Sequence, residues 1–201
     1  GWSRLRDVQE QAIAAICGSD EDVLISAATA AGKTEAAFLP LLGSSATREQ
    51  PGVAILYVAP LKALINDQFR RLEDLCDMLE LPLVRWHGDA PQGPKTKLIK
   101  APAGVVLITP ESIEAMLLRR PATAEALLGA LDAIIIDELH SFLQGPRGLH
   151  LSSLLNRIEV LNDRRPRRVG LSATIGDLEF GARWLSWTAP KPAQIIAVAG
   201  G

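Results

Sequence analysis

Asp22-Val23-Leu24-Ile25-Ser26-Ala27-Ala28-Thr29-Ala30-Ala31-Gly32-Lys33-Thr34-Glu35-Ala36-Ala37 decides how this chain folds. Its first six residues are a short apolar run of β-forming character, which predicts a strand over 22–27. From Ala27 to Thr34 the residues are small and end in Gly-Lys-Thr, and a segment of helical character follows. A strand that turns through small residues into a helix points loop N–H groups and the positive end of the helix at one space. That space suits a polyphosphate. Lys33 supplies a point charge, and the Thr34 hydroxyl a ligand for Mg²⁺. A triphosphate with Mg²⁺ is therefore the expected guest, contacted by Thr29, Ala30, Ala31, Gly32, Lys33 and Thr34. The general pattern of such loops, G-x-x-x-x-G-K-[ST], has glycine where Ala27 stands here.

Working outward, short β-branched runs recur at 53–59, 83–87, 105–109, 133–137, 168–173 and 194–198, and each reads as a strand. Their unbroken apolar character suits strands buried on both faces. Between them lie amphipathic stripes. Leu61, Leu64, Ile65, Phe69, Leu72, Leu75 and Leu79 recur every three or four residues, with Asp67, Arg70, Arg71, Asp74 and Asp77 opposite. Shorter stripes run through Val8, Ala12, Ile13 and Ile16, and through Leu151, Leu154, Leu155, Ile158 and Leu161. Alternating strands and helices predict an α/β fold: a mostly parallel sheet with helices on both faces and right-handed crossovers. Ligands of such sheets bind beyond the carboxyl ends of the strands. Proline and glycine clusters at 91–94, 101–104 and 145–148 read as surface loops.

The run Ala133-Ile134-Ile135-Ile136-Asp137-Glu138-Leu139-His140 ends a buried strand with two carboxylates, which a hydrophobic strand does not tolerate inside. At the strand mouth Asp137 is placed to hold Mg²⁺ through water, and Glu138 to polarise the water that attacks a γ-phosphate. Alone, the pair reads equally as an acidic loop start. Together with the phosphate loop, it reads as the second half of a nucleotide site.

Seven segments in order resemble the superfamily 2 helicases, most closely the DExH proteins of the Lhr-like and Ski2-like groups. Trp2 to Gln9 is similar to the Q-motif region, which implies that Gln9 reads adenine. Ala27–Thr34 matches motif I, whose family form begins with alanine. Ala59-Pro60-Leu61-Lys62-Ala63-Leu64 is similar to motif Ia, Trp86-His87-Gly88-Asp89 to the glycine motif, and Thr109-Pro110-Glu111-Ser112 to the TPE motif. Asp137-Glu138-Leu139-His140 is a DExH motif II, and Ser172-Ala173-Thr174 a motif III. The resemblance covers nearly the whole chain. It implies a RecA-like phosphate-loop domain, the first ATP-binding domain of a helicase over residues 1–201, with the second RecA-like domain absent from this chain. It further implies that Pro60, Lys62, Gly88, Thr109, Pro110 and Glu111 grip one strand of DNA or RNA, and that His140, Ser172 and Thr174 couple that grip to the catalytic group Lys33, Asp137 and Glu138. Ala30 departs from the family, which has glycine there. A rival reading is therefore a nucleic-acid-binding module with an impaired ATPase site. A small-molecule kinase leaves the Thr109-Pro110-Glu111 and Ser172-Ala173-Thr174 segments unexplained.

The remaining features carry structural readings. Thr109 and Pro110 also read as an ordinary helix start, cap followed by first turn. Arg164, Arg165, Arg167 and Arg168 read as a solvated face. His87 at a strand end reads as structural, and Trp184 and Trp187 as packing residues. Cys17 and Cys76 read as buried free thiols, and no Cys/His metal cluster is visible. At 201 residues, 48% apolar and 22% charged, the chain has the size and composition of one globular α/β domain. No apolar run reaches the roughly 20 residues needed to span a bilayer, and 1–11 lacks the apolar core of a signal peptide. A cytoplasmic monomer is expected. A net charge of −2 excludes a strongly positive whole-domain field, so any nucleic-acid binding rests on local donors.

Overall fold

The computed structural model describes residues 5–28, 31–173 and 175–198. Seven strands form one all-parallel sheet: β1 (Val23–Ala27), β2 (Ile55–Val58), β3 (Leu83–Trp86), β4 (Val105–Ile108), β5 (Ala133–Ile136), β6 (Arg167–Ser172) and β7 (Gln194–Val198). Their order across the sheet is β3-β4-β2-β5-β6-β1-β7. All seven coincide with strands read from the sequence, with ends displaced by a residue or two. The five inner strands are buried on both faces, as their apolar runs predict. Strands β3 and β7 are the edges, and their side chains are only partly buried.

Among the described residues, eight α-helices divide by the pleat. Tyr57, Ile135 and Leu171 face one core together with α1 (Asp7–Gly18), α2 (Lys33–Ala46) and α3 (Lys62–Met78). Leu56, Ile134 and Ile136 face the other, against α4 (Gln92–Lys100), α5 (Pro110–Arg119), α6 (Pro121–Leu128), α7 (Gly145–Leu161) and α8 (Leu178–Leu185). Because all strands are parallel, the residues after β1, β2, β3, β4, β5 and β6 share one end of the sheet, and those residues are the motif segments.

Several expectations need correction. Residues 91–94 are not a loop: α4 begins at Gln92, and Pro94 fits in its first turn because N–H groups there have no intrahelical acceptor. Residues 145–148 likewise open α7, with proline in the first turn. Gly148 lies so near the turn Leu139–Phe142 that an added Cβ would stand 2.1 Å from the Phe142 carbonyl oxygen. That glycine marks close packing. Leu61 precedes α3 and is exposed, because the buried face starts only with the helix. Cys17 is exposed, whereas Cys76 is buried; both thiols are free.

The arginine run is not a solvated face. Only Arg164 is exposed, paired with Asp132. Arg165 pairs with Asp22 at 2.6 Å, and Arg167 donates to the Ile16 carbonyl at 2.6 Å. Arg168 is fully buried, with its guanidinium bonded to Glu159 and 4.0 Å from the Trp187 ring. Burial pushes this guanidinium down to about 10, against the pull of Glu159. Trp187 and Trp184 pack edge to face at 5.3 Å, and Trp187 Nε1 donates to Asn156, which agrees with the packing role.

Candidate nucleotide and strand site

The phosphate loop leaves β1 at Ala27 and enters α2 at Lys33, with Gly32 as the residue before the helix at φ 84°. Only glycine adopts this left-handed conformation without strain. A Cβ on Gly32 would also stand 2.7 Å from Gln9 Nε2. Gln9 is buried, and its Oε1 accepts the Arg6 N–H at 2.9 Å. The Gln9 amide thus closes the start of α1 and seats it on the phosphate loop. Thr29 and Ala30, both expected to contact nucleotide, lie outside the described residues, as does Trp2.

Lys33 is buried within the loop it was expected to serve. Its Nζ donates to the carbonyls of Ala27 at 2.7 Å and Ala28 at 3.0 Å. Burial lowers its pKa, opposed by the carboxylates of Glu138 and Asp137. Motif II and the loop lysine lie at the same end of the sheet, where their charges act on each other. Thr34 follows in the first turn of α2.

Asp137 lies just past β5 and is buried, with both carboxylate oxygens engaged. Oδ1 accepts the Glu138 N–H at 2.9 Å, and Oδ2 accepts the hydroxyl of Tyr57 on neighbouring β2. Burial pushes the Asp137 carboxyl up, while the Tyr57 and Glu138 hydrogen bonds and the charge of Lys33 pull it down. The Tyr57 hydroxyl is itself raised, by burial first and then by Asp137. Its ring packs against Phe38 of α2, 5.7 Å between centroids. The sequence reading missed Tyr57, although one signal was present: a phenol within an otherwise aliphatic strand, Ile55-Leu56-Tyr57-Val58.

Glu138 holds a left-handed backbone, φ 48° and ψ 46°, which costs a non-glycine residue about 1 kcal/mol. Strain of this kind persists where the surroundings fix it, and it is concentrated at working sites. His140 lies in the following turn with Nδ1 3.3 Å from Glu138 Oε2 and 3.0 Å from Ser172 Oγ. Ser172 ends β6 and is fully buried. One imidazole thus joins motif II to motif III. Thr174 lies outside the described residues.

The strand-binding candidates gather along the same sheet end. Pro60 follows β2, and its carbonyl accepts from Arg147 at 3.0 Å. Lys62 pairs with Asp89 at 2.8 Å, joining motif Ia to the residue beside Gly88. His87 is buried at the end of β3. Thr109 caps α5 by accepting the Ser112 N–H, with Pro110 in the first turn. Glu111 is exposed, 3.9 Å from Arg147. The sequence reading also missed Arg147, which stands between motif Ia and the TPE segment. Its signal was the adjacent Gly148.

Hard oxygen donors suit Mg²⁺, which is usually held by one or two carboxylates together with waters and substrate phosphates. Asp137 and Thr34 fit that description, since a carboxylate that accepts two hydrogen bonds retains free lone pairs. Among the described residues no cluster of three or more His, Cys, Asp or Glu could hold a metal unaided. No helix among them is long and apolar enough to cross a membrane.

Comparison with known proteins agrees with this geometry. The model of the DEAD/DEAH box helicase family matches residues 6–179. The Lhr helicase/probable uracil glycosylase of Mycolicibacterium smegmatis is 36% identical over 84% of this chain and 12% of its own length. An ATP-dependent helicase Lhr-Core protein 2 of Thermococcus barophilus is 36% identical over 82% of this chain and 21% of its own length. This chain thus spans about an eighth to a fifth of such relatives. Among solved structures, Mycobacterium smegmatis helicase Lhr bound to ssDNA and AMP-PNP superposes with a TM-score of 0.85 at 32% identity, over 99% of this chain and 26% of the other. The DEAD-box helicase Mss116, at 19% identity and TM-score 0.81, shares the fold. The family match over residues 6–179 and the identity to Lhr helicases, on a sheet that brings the phosphate loop and the DExH turn to one end, place this chain in the DEAD/DEAH box helicase family.

Proposed function

We propose that this chain is the ATP-binding first motor domain of a nucleic-acid helicase or translocase, with a second RecA-like domain needed to complete its site. The observation that carries this reading is the grouping at one end of the sheet of Lys33, on which the charges of Glu138 and Asp137 act, with the Glu138–His140–Ser172 contacts. In it, Lys33 turns from the loop carbonyls to the β- and γ-phosphates, and Gln9 reads the adenine edge. Asp137 and Thr34 hold Mg²⁺, which neutralises charge on the phosphates. Glu138 orients and deprotonates the attacking water. Pro60, Lys62, Gly88, Thr109, Pro110 and Glu111 grip the phosphates of a DNA or RNA strand, a sequence-tolerant mode. The relative bound to ssDNA and AMP-PNP supports both ligands. A monomeric, cytoplasmic setting completes the proposal.

The test is steady-state ATP hydrolysis by the full protein that carries this chain, with and without single-stranded DNA or RNA. Nucleic-acid-stimulated turnover is expected. Strand binding without turnover would instead support a binding module with an impaired ATPase site.

A further inference from the structure

Next to the strand-binding segments, a cleft of about 320 Å³ runs between α4 and α5. Gly88 and Ser112 line it where α5 begins, at the carboxyl end of the sheet. Arg119 and Arg120 line it where α5 ends, about 10 Å further along at 1.5 Å per residue. Lys95 of α4 reaches to the end of β3, its Nζ donating to the His87 carbonyl at 2.7 Å.

The charge of this cleft is one-sided. Three cations line it and no carboxylate does. The acids of α5 face away from it: Glu111 lies near Arg147, and Glu114 meets His150 at 3.3 Å. Asp89 is taken up by Lys62. Neither the Arg119 nor the Arg120 guanidinium has a hydrogen bond or ion pair among the described residues. Two guanidinium groups of neighbouring residues kept without counter-charges, with the Lys95 ammonium on the same cleft, suit a polyanion.

A second observation also points to a ligand. His87 lines the cleft and is 3% exposed, yet its Nδ1 is buried with no partner. Its Nε2 lies 3.3 Å from Asn66 Oδ1, which already accepts from Arg85 at 2.9 Å. Nε2 therefore donates, and Nδ1 is left as an acceptor. Burial lowers the His87 pKa. A nucleotide offers the matching set, with phosphate oxygens for the arginines and a hydroxyl or base N–H for the histidine.

We propose that this cleft is an extension of the strand-binding path, in which a single strand gripped at Gly88 and the start of α5 continues along α5 with its phosphates on Arg119 and Arg120. The inference rests on the strand-binding reading above. The experiment measures single-stranded oligonucleotide binding by the full protein, in a series of lengths and salt concentrations, for wild type and for Arg119→Gln/Arg120→Gln. Both arginines are exposed, and a thermal melt confirms that the variant is folded. On long strands the variant should bind at least tenfold more weakly. Its slope of log affinity against log salt should be shallower by about 1.4, two phosphates at roughly 0.7 each. The shortest strands that bind should show neither change. Equal slopes and affinities at every length would overturn the proposal, as would an equal loss at every length, which marks a diffuse charge effect. Failure of wild type to bind any strand would instead overturn the strand-binding reading itself.

Discussion

The Tyr57 hydroxyl on β2 donates to Oδ2 of Asp137, just past the neighbouring strand β5, and so fixes the carboxylate that motif II offers to the nucleotide site. The ring is held in turn by Phe38, on the helix that the phosphate loop opens. A contact inside the core thereby sets the geometry of a group at its surface.

Tyr57→Phe keeps the ring and deletes the hydroxyl. A buried carboxylate loses one of its two donors, so the fold should lose about 1–3 kcal/mol. The Mg²⁺ concentration needed for half-maximal nucleotide binding should rise several-fold, while metal-free nucleotide affinity stays unchanged. Calorimetric titrations with and without Mg²⁺ check both. An unchanged Mg²⁺ requirement would reduce Tyr57 to a packing residue.

Lys33→Ala removes the cation that the phosphates require. Nucleotide affinity should fall at least tenfold, about 1.4 kcal/mol, read by displacement of a fluorescent nucleotide. Ala28 is exposed and water replaces its lost donor, but Ala27 is buried, so the variant should also lose about 1 kcal/mol of stability and nucleotide affinity is compared well below its melting temperature.

Glu138→Gln keeps the shape of the side chain and removes its basicity. In the full protein it should bind Mg·ATP as wild type does and lose roughly 10²- to 10⁴-fold in turnover. Single-turnover hydrolysis measures this directly. Near-normal rates would assign Glu138 a structural role.

Glu159→Leu strands the buried guanidinium of Arg168 at the opposite, amino end of the sheet. Breaking a buried pair of this kind costs about 3–5 kcal/mol. Arg164→Ala, in the same run but exposed, should cost less than about 1 kcal/mol. Chemical denaturation of the two variants separates a structural arginine cluster from a solvated one.

Much of this was legible because the fold is written in periodicity. Strands buried on both faces, such as Ile134-Ile135-Ile136, must be apolar throughout, and the phosphate loop can only follow one of them. The errors have physical causes as well. Prolines and glycines at 91–94 and 145–148 mark helix starts here, since the first turn tolerates what the interior does not. Arg168 was misread because sequence shows a charge and not its partner, Glu159, on α7. Tyr57 and Arg147 act across strands and helices, at separations of 80 and 87 residues from Asp137 and Pro60, which periodicity does not reveal. The positive φ of Glu138 is set by the close of β5 and the turn after it, and nothing local announces it.

The central claim is that this chain holds half of an ATPase site, and the ATPase rate of the 201-residue domain alone tests it most directly. The arginines 164, 165, 167 and 168 are engaged at the amino end of the sheet, and Arg71 is held by Glu35. An arginine finger is worth roughly 10³- to 10⁵-fold in rate, so a site that draws its finger from another domain, as proposed above, is nearly inert alone. The domain should bind Mg·ATP weakly and hydrolyse it negligibly, with no stimulation by single-stranded DNA or RNA. Robust, strand-stimulated turnover by the isolated domain would contradict the account.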